Sequence, residues 1–193
     1  MSVGMALISS DIIQLIYQRG EFTAHSTMLT SKALLFYSIG MIGYGLMEIL
    51  NKAFYAMQDS KTPMKTSVVA ILLNIILSLT LVKYMGYTGL PLAASITSIV
   101  IAVLMIMMIS KNVNGLVNKN DVKELAKILF SATIMGIIII ALKNVIVGNT
   151  TIATILRVGA SVGAGVIVYF ASVLLLKNKT LDEFITKVKN KAK

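Results

Sequence analysis

Residues 68–109 decide the fold class of this chain: they read VVAILLNIILSLTLVKYM at 68–85, GYTG at 86–89 and LPLAASITSIVIAVLMIMMI at 90–109. Each apolar run approaches the roughly 20 residues that an α-helix needs to cross the hydrocarbon core of a membrane. Both runs are longer than strands and do not alternate apolar with polar residues, which excludes strands. The stretch therefore predicts two transmembrane helices joined by a glycine-containing turn.

Apolar runs of the same kind occupy most of the remaining chain. They predict an all-α integral membrane protein: a bundle of five full transmembrane helices, one truncated N-terminal helix and a short C-terminal amphipathic helix. Residues 1–176 are expected to form the bundle, with antiparallel neighbours because the connections are short, and residues 177–193 a basic cytoplasmic tail. The chain begins almost inside an apolar run, as expected for an internal fragment. The predicted helices are at about 3–17, 33–55, 68–85, 90–109, 125–147 and 152–176.

The composition argues against soluble and catalytic functions. Hydrophobic residues make up 56% and charged residues 13% of the 193 residues, against about 45–50% and about 25% in soluble domains. The sequence has no cysteine and one histidine, His25, so disulfides, metal sites and histidine-based catalysis are not expected. It has no glycine-rich phosphate-binding loop. We expect no enzyme activity and no cofactor, and any driving energy would come from the membrane potential or an ion gradient.

The net charge of +10 is interpreted as a topology signal and not as a nucleic-acid-binding surface, because it is distributed unevenly. If the helices alternate, the loops at 52–65 and 111–127 and the tail from 177 share one side of the membrane. They hold three, four and six lysines, which is 13 of the 18 basic residues. The positive-inside rule places this side and the C-terminus in the cytoplasm.

The C-terminal tail carries its own pattern. Thr180 and Glu183 have capping-box spacing, and apolar residues follow at helical spacing among lysines. This pattern is typical of a basic amphipathic helix on an anionic membrane surface, and a solvated tail explains it equally well. The apolar residues are Leu181, Phe184, Ile185 and Val188.

Polar residues inside two of the predicted spans are candidate cavity-lining residues. Glu48, Asn51 and Lys52 lie within one turn, where ionised groups cost free energy unless they are paired or hydrated. They indicate either an ion pair at the membrane interface or a hydrated cavity that accepts a charged headgroup. Asn74 and Ser78 are four residues apart on one helix face, and they fit hydrogen bonds between helices or a substrate path.

Glycines cluster in two of the predicted helices. Gly40 and Gly43 lie in the second helix, and Gly159 and Gly163 form a small-xxx-small pair in the sixth. Such residues let two helices approach closely. A hinge in an alternating-access cycle is the second interpretation.

Four sequence motifs go beyond this generic description. They read IQLIYQRGEFT at 13–23, ALLFYSIG at 33–40, AFYAMQDSKTP at 53–63 and GYTGLPLAAS at 86–95. In this order and spacing they resemble the MurJ/MviN family of lipid II flippases, in the multidrug/oligosaccharidyl-lipid/polysaccharide exporter superfamily. The most specific motif is similar to the family's cytoplasmic turn, and its motif residues here are Phe54, Tyr55, Asp59, Thr62 and Pro63.

The resemblance implies the C-terminal part of a fourteen-helix flippase, roughly helices nine to fourteen, in the bacterial cytoplasmic membrane. Such proteins move undecaprenyl-linked lipid II by alternating access, so the implied partners are membrane lipids, lipid II and the missing N-terminal part of the same protein. The last two helices would form a groove for the lipid tail. The family's essential arginines lie on helices that have no counterpart here, so the chain alone is expected to be inactive. A flippase or antiporter of another substrate, or a small partner-stabilising membrane protein, are the alternatives.

Overall fold

The structure is a computed structural model that describes residues 1–18, 22–112, 119–145 and 151–175. Within these residues it contains six α-helices, a short 3-10 turn at Gly86–Thr88 and no strand. The all-α membrane fold predicted from the sequence is confirmed. The helices are α1 (Ser2–Tyr17), α2 (Ala24–Ala56), α3 (Lys61–Met85), α4 (Gly89–Asn112), α5 (Lys119–Val145) and α6 (Thr151–Leu175).

Four helical segments in the described part of the chain are long and apolar enough to cross a membrane. One of them, Lys61–Lys111, contains both α3 and α4. Gly86 interrupts this segment with a positive φ of 62°, and α3 then packs against α4, so the segment forms two spans. α1, with 16 residues, is the shorter apolar helix. The amphipathic helix predicted for the tail lies outside the described residues.

Two helices begin earlier than the sequence predicted. α2 starts at Ala24 and not near residue 33, and α3 starts at Lys61 and not near residue 68. Hydropathy detects the part of a helix that lies in hydrocarbon, whereas backbone hydrogen bonds continue a helix into the polar headgroup region. At the start of α2, the Thr23 hydroxyl oxygen accepts a hydrogen bond from the amide of Ser26 at 3.3 Å and caps the helix.

The remaining helix boundaries differ from the predictions by smaller amounts. α5 begins at Lys119, six residues before its predicted start, and α4 ends three residues after its predicted end, at Asn112. Pro63, expected in the break between helices, is the third residue of α3. Proline is tolerated in a first helical turn because the amides there have no acceptor within the helix.

Met1–Leu116 forms one compact unit that contains α1 to α4. α4 packs against both α2 and α3, and α1 packs against α2, but α2 barely touches its sequence neighbour α3. The sequence neighbours α2 and α3 run antiparallel, as expected, but they pack little against each other. The main partner of α2 is the parallel helix α4. A core joins the C-terminal halves of these two helices and consists of Leu50, Phe54, Ile101, Met105 and Ile109.

Val117–Lys193 forms a second unit, in which α5 packs against α6. Met135 and Ile139 are buried on α5, and Ser161 is buried on α6. A Cβ at Gly165 would lie 3.4 Å from the Ile139 side chain, which is ordinary van der Waals contact. The second unit is thus a helical hairpin held by small and aliphatic side chains.

Candidate functional site

α2 and α4 approach each other closely at a seam that we define by Gly40, Gly43, Ser95 and Ser98. A Cβ at Gly40 would lie 2.7 Å from the Ser95 Cα, and a Cβ at Gly43 would lie 2.6 Å from the Ser98 carbonyl carbon. Real Cβ atoms essentially never come this close to backbone atoms. Glycine is therefore the residue that fits both positions at this spacing.

Two hydroxyl groups connect the helices across this seam. The Ser95 hydroxyl donates to the Phe36 carbonyl oxygen at 2.6 Å. The Ser98 hydroxyl lies 3.0 Å from the Gly40 carbonyl oxygen and 2.9 Å from the Ser95 carbonyl oxygen, and shares its single proton between them. Both serines are almost fully buried. Hydrogen bonds between membrane helices contribute about 0.6 kcal/mol each on average, so close packing supplies most of the adhesion.

The glycines of α6 have different surroundings. No side chain or other non-local atom lies within 4 Å of a Cβ built at Gly159 or Gly163 in the described residues. The contact glycine of α6 within its unit is Gly165. A packing or hinge role for Gly159 and Gly163 stays a prediction.

Glu48 and Lys52 form the ion pair that their spacing predicts. The Lys52 Nζ lies 3.2 Å from the Glu48 Oε1, and the two side chains are 74% and 67% exposed. Asn51 beside them is half-buried. Within the described part of the first unit no other helix covers this face of α2, so the pair is available to a solvent-filled space, lipid headgroups or another protein surface.

Asn74 and Ser78 meet each other on α3. The Ser78 hydroxyl donates to the Asn74 side-chain oxygen at 3.1 Å, and both residues are half-buried. This bond lies within one helix and does not join two. Because α2 barely touches α3, the structure does not bring this pair together with Glu48 and Lys52.

The turn between α2 and α3, with the adjoining helix ends, contains the five residues of the most specific motif. Phe54 is buried in the core of the first unit, Tyr55 is exposed and Pro63 is buried in the first turn of α3. Asp59 accepts hydrogen bonds from the amides of Lys61 and Thr62 at 3.1 and 3.0 Å and from the Thr62 hydroxyl at 2.5 Å. Its carboxylate therefore caps the start of α3.

Hydrogen bonds from the Thr62 hydroxyl and from the Thr62 and Lys61 amides, together with the charge of Lys65, lower the pKa of Asp59 from its ordinary value of 3.8. A lowered pKa in the folded state means that the ionised cap stabilises the fold above pH 3.8, and that this contribution is lost as the pH falls through the lowered pKa.

Replacing Asp59 with alanine is expected to lower the melting temperature at neutral pH by about 2–5 °C, because the helix loses its cap. The difference between wild type and Asp59→Ala is expected to shrink as the pH falls below 3.8. Heating followed by size-exclusion chromatography at several pH values measures both effects. The control is Asp59→Asn, which keeps a capping oxygen but does not titrate. An equal wild-type advantage at pH 7 and at the lowest pH reached contradicts this account of the turn.

Two buried features were not identified from the sequence. Ser95 and Ser98 carry the α2–α4 hydrogen bonds, but in the sequence they stand inside a long apolar run. A serine spacing of three residues in α4, matching the spacing of Gly40 and Gly43, was the available signal. Asp11 is 3% exposed on α1, a depth that the short apolar run does not reveal.

The long apolar helices, packed through the glycine–serine seam, define a multi-pass α-helical membrane protein. The family model described as "Lipid II flippase MurJ" matches residues 1–161. The chain belongs to that family.

Individual relatives agree with this assignment. The chain is 31% identical over 144 residues to a "Probable lipid II flippase MurJ" of Buchnera aphidicola subsp. Baizongia pistaciae, covering 75% of this chain and 28% of the relative. It is 28% identical over 183 residues to a protein of the same name from Rickettsia prowazekii, covering 93% of this chain and 36% of the relative. It therefore spans roughly a third of the relatives' length.

A solved structure matches the same extent of the chain. It is described as "Lipid II flippase MurJ, inward closed conformation", and it superposes with a TM-score of 0.76 at 26% sequence identity. The superposition covers 93% of this chain and 36% of the solved chain. The chain thus shares the helix arrangement of the part of that structure which it covers.

Proposed function

We propose that this chain provides the C-terminal helices of a lipid II flippase, which moves undecaprenyl-linked peptidoglycan precursor across the bacterial cytoplasmic membrane without covalent chemistry. The observation that carries the proposal is the superposition on a solved lipid II flippase over 93% of the chain. The capped turn at Asp59, which contains the most specific family motif, supports it independently.

Alternating access requires rigid groups of helices that move relative to other helices. The α2–α4 seam supports this role, because backbone-to-backbone contact at Gly40 and Gly43 leaves the two helices little freedom to slide. The capped turn similarly fixes α3 to α2. In the proposal, α1 to α4 move as one body, and the membrane potential or an ion gradient supplies the energy.

The Glu48–Lys52 pair is the proposed polar contact with the transport path. Lys52 lies four residues before the end of α2, and Glu48, with which its amine pairs, lies about 6 Å deeper along the axis. An ionised carboxylate at this depth is stabilised by its lysine and by water. A hydrated cavity next to this face of α2 provides the water, and Lys52 provides the opposite charge.

The exposed face of α6 supports the proposed contact with the lipid tail. Its exposed side chains in the described range are aliphatic or aromatic, and they present hydrocarbon over most of the helix length. A prenyl tail and ordinary membrane lipid both fit such a face. The residues are Ile155, Leu156, Val162, Val166, Ile167 and Phe170.

A chimera tests the proposal in cells. The region of the solved flippase that superposes on this chain is replaced by residues 1–193, and the chimera is expressed in a bacterium depleted of its own flippase. We expect the chimera to restore growth, as the intact solved flippase does, and the chain alone to fail. A chimera that inserts and purifies as a monodisperse protein but does not support growth contradicts the proposal, as does rescue by the chain alone.

A further inference from the structure

A cavity of about 290 Å³ lies between the C-terminal half of α1 and the first half of α2. Ile13 and Tyr17 form its α1 wall, and Ala33, Leu34 and Tyr37 form most of its α2 wall. No residue of the proposed transport path is among them. We call this cavity the α1–α2 crevice.

The position of the crevice in the membrane follows from two lysines on α2. Lys32 and Lys52 are exposed and lie 20 positions apart, which is about 30 Å along a helix and equals the thickness of the hydrocarbon core. A lysine at the Lys32 edge extends its amine toward the headgroups. Ala33, Leu34 and Tyr37 therefore lie in the first two turns inside the hydrocarbon at the Lys32 edge.

The rim of the crevice is held in place by contacts between the two helices. The Thr27 hydroxyl lies 3.2 Å from the Gln18 side-chain oxygen and connects the start of α2 to the end of α1. The rings of Tyr17 and Phe22 pack with their centroids 5.9 Å apart. Phe22 and Thr30 complete the rim. The crevice is thus preformed, with an apolar interior and polar groups at the headgroup level.

We propose that the α1–α2 crevice binds one acyl chain of a phospholipid from the leaflet at the Lys32 edge, with the phosphate beside Lys32. An apolar space at this depth is filled by hydrocarbon, because water there would lose its hydrogen bonds. Lys32 supplies the charge complementary to a phosphate, and it lies on the same helical turn as the crevice wall. The volume, at the lower limit of small-ligand sites, suits a single unbranched chain.

This proposal rests on the membrane fold and not on lipid II transport. A phospholipid held between α1 and α2 would act as a structural lipid that fixes the N-terminal hairpin. The crevice otherwise leaves a gap between two helices that pack against each other. Failure of lipid II transport would leave the crevice and its occupant unchanged.

Photolabelling tests the occupant. The full chain is reconstituted in phosphatidylcholine vesicles that contain phosphatidylglycerol with a diazirine in one acyl chain, and labelled peptides are identified by mass spectrometry. We expect labels to concentrate on residues 13–17 and 30–37. Filling the crevice with Ala33→Trp is expected to reduce this labelling roughly fivefold. Leu79→Trp, on an exposed face of α3, is the matched control and is expected to leave it unchanged.

A smaller substitution, Ala33→Leu, keeps the test decisive if the tryptophan variant does not fold. Leucine fills less of the crevice than tryptophan, so we expect a partial loss of labelling. Labels spread evenly over all exposed faces, and insensitive to both variants, would overturn the proposal. A diazirine-bearing polyprenyl phosphate is tested in parallel. Labelling of the crevice by this probe alone would assign it to an isoprenoid tail and would also overturn the proposal.

Discussion

Replacing Gly43 with leucine is expected to separate α2 from α4 and to lower the melting temperature of the protein by about 10 °C or more. A Cβ at this position already lies 2.6 Å from the Ser98 carbonyl carbon and 2.7 Å from the Ile99 nitrogen. These are backbone atoms, so no side-chain rotation relieves the clash. The helices must move apart, and the hydrogen bond from Ser98 to the Gly40 carbonyl is lost with the contact.

The chain provides a matched control for this substitution. Gly45 is on the same helix, two residues away, and a Cβ there meets no atom within 4 Å beyond its own helix turn. Gly45→Leu is expected to change the melting temperature by less than about 2 °C, because it adds helix propensity without a clash. The measurement is fluorescence-detected size-exclusion chromatography of a fluorescent-protein fusion after heating. Equal melting temperatures for the two variants would show that the seam does not hold the first unit together.

Single cysteines placed at the two ends of α3 are expected to react on opposite sides of the membrane. The chain has no natural cysteine, so each introduced thiol reports one position. α3 has 25 residues and is about 37 Å long, which exceeds the hydrocarbon thickness. Ser60→Cys lies on the side that holds most of the lysines, and Tyr87→Cys lies in the turn at the other end.

The lysine distribution predicts which of the two cysteines is outside. In intact spheroplasts, a membrane-impermeant maleimide is expected to label Tyr87→Cys and to leave Ser60→Cys unlabelled. After lysis both should be labelled, which controls for accessibility of the thiols. In intact spheroplasts, we expect the labelling of each cysteine to be either nearly complete or nearly absent. The reverse pattern in intact spheroplasts would place the lysine-rich side and the C-terminus outside the cytoplasm and contradict the proposed orientation.

Hydropathy was sufficient to predict the fold class and the number of long helices, because membrane spans must satisfy their backbone hydrogen bonds internally. It placed the starts of α2 and α3 several residues late, because the first turns of both helices are polar. The same signal does not say which helices touch. The parallel pairing of α2 with α4 depends on glycine and serine positions 50 to 60 residues apart, and no local pattern connects them.

The sequence predicts some parts of the candidate site and not others, because local patterns do not show which helices touch. The Glu48–Lys52 pair and the Asn74–Ser78 pair were recognisable because each lies within one helical turn. The crevice between α1 and α2 combines apolar and aromatic residues that are individually ordinary in a membrane helix. Only their arrangement in three dimensions, beside a lysine at the edge of the hydrocarbon, makes them a candidate site.

The central claim is that these helices serve as the C-terminal part of a lipid II flippase. The most direct measurement is transbilayer movement of fluorescent lipid II in vesicles that contain the purified chimera, the intact solved flippase or the chain alone. The account predicts movement by the chimera and by the intact flippase, and none by residues 1–193 alone. A folded chimera that leaves lipid II in its original leaflet, while the intact flippase moves it, would contradict the claim.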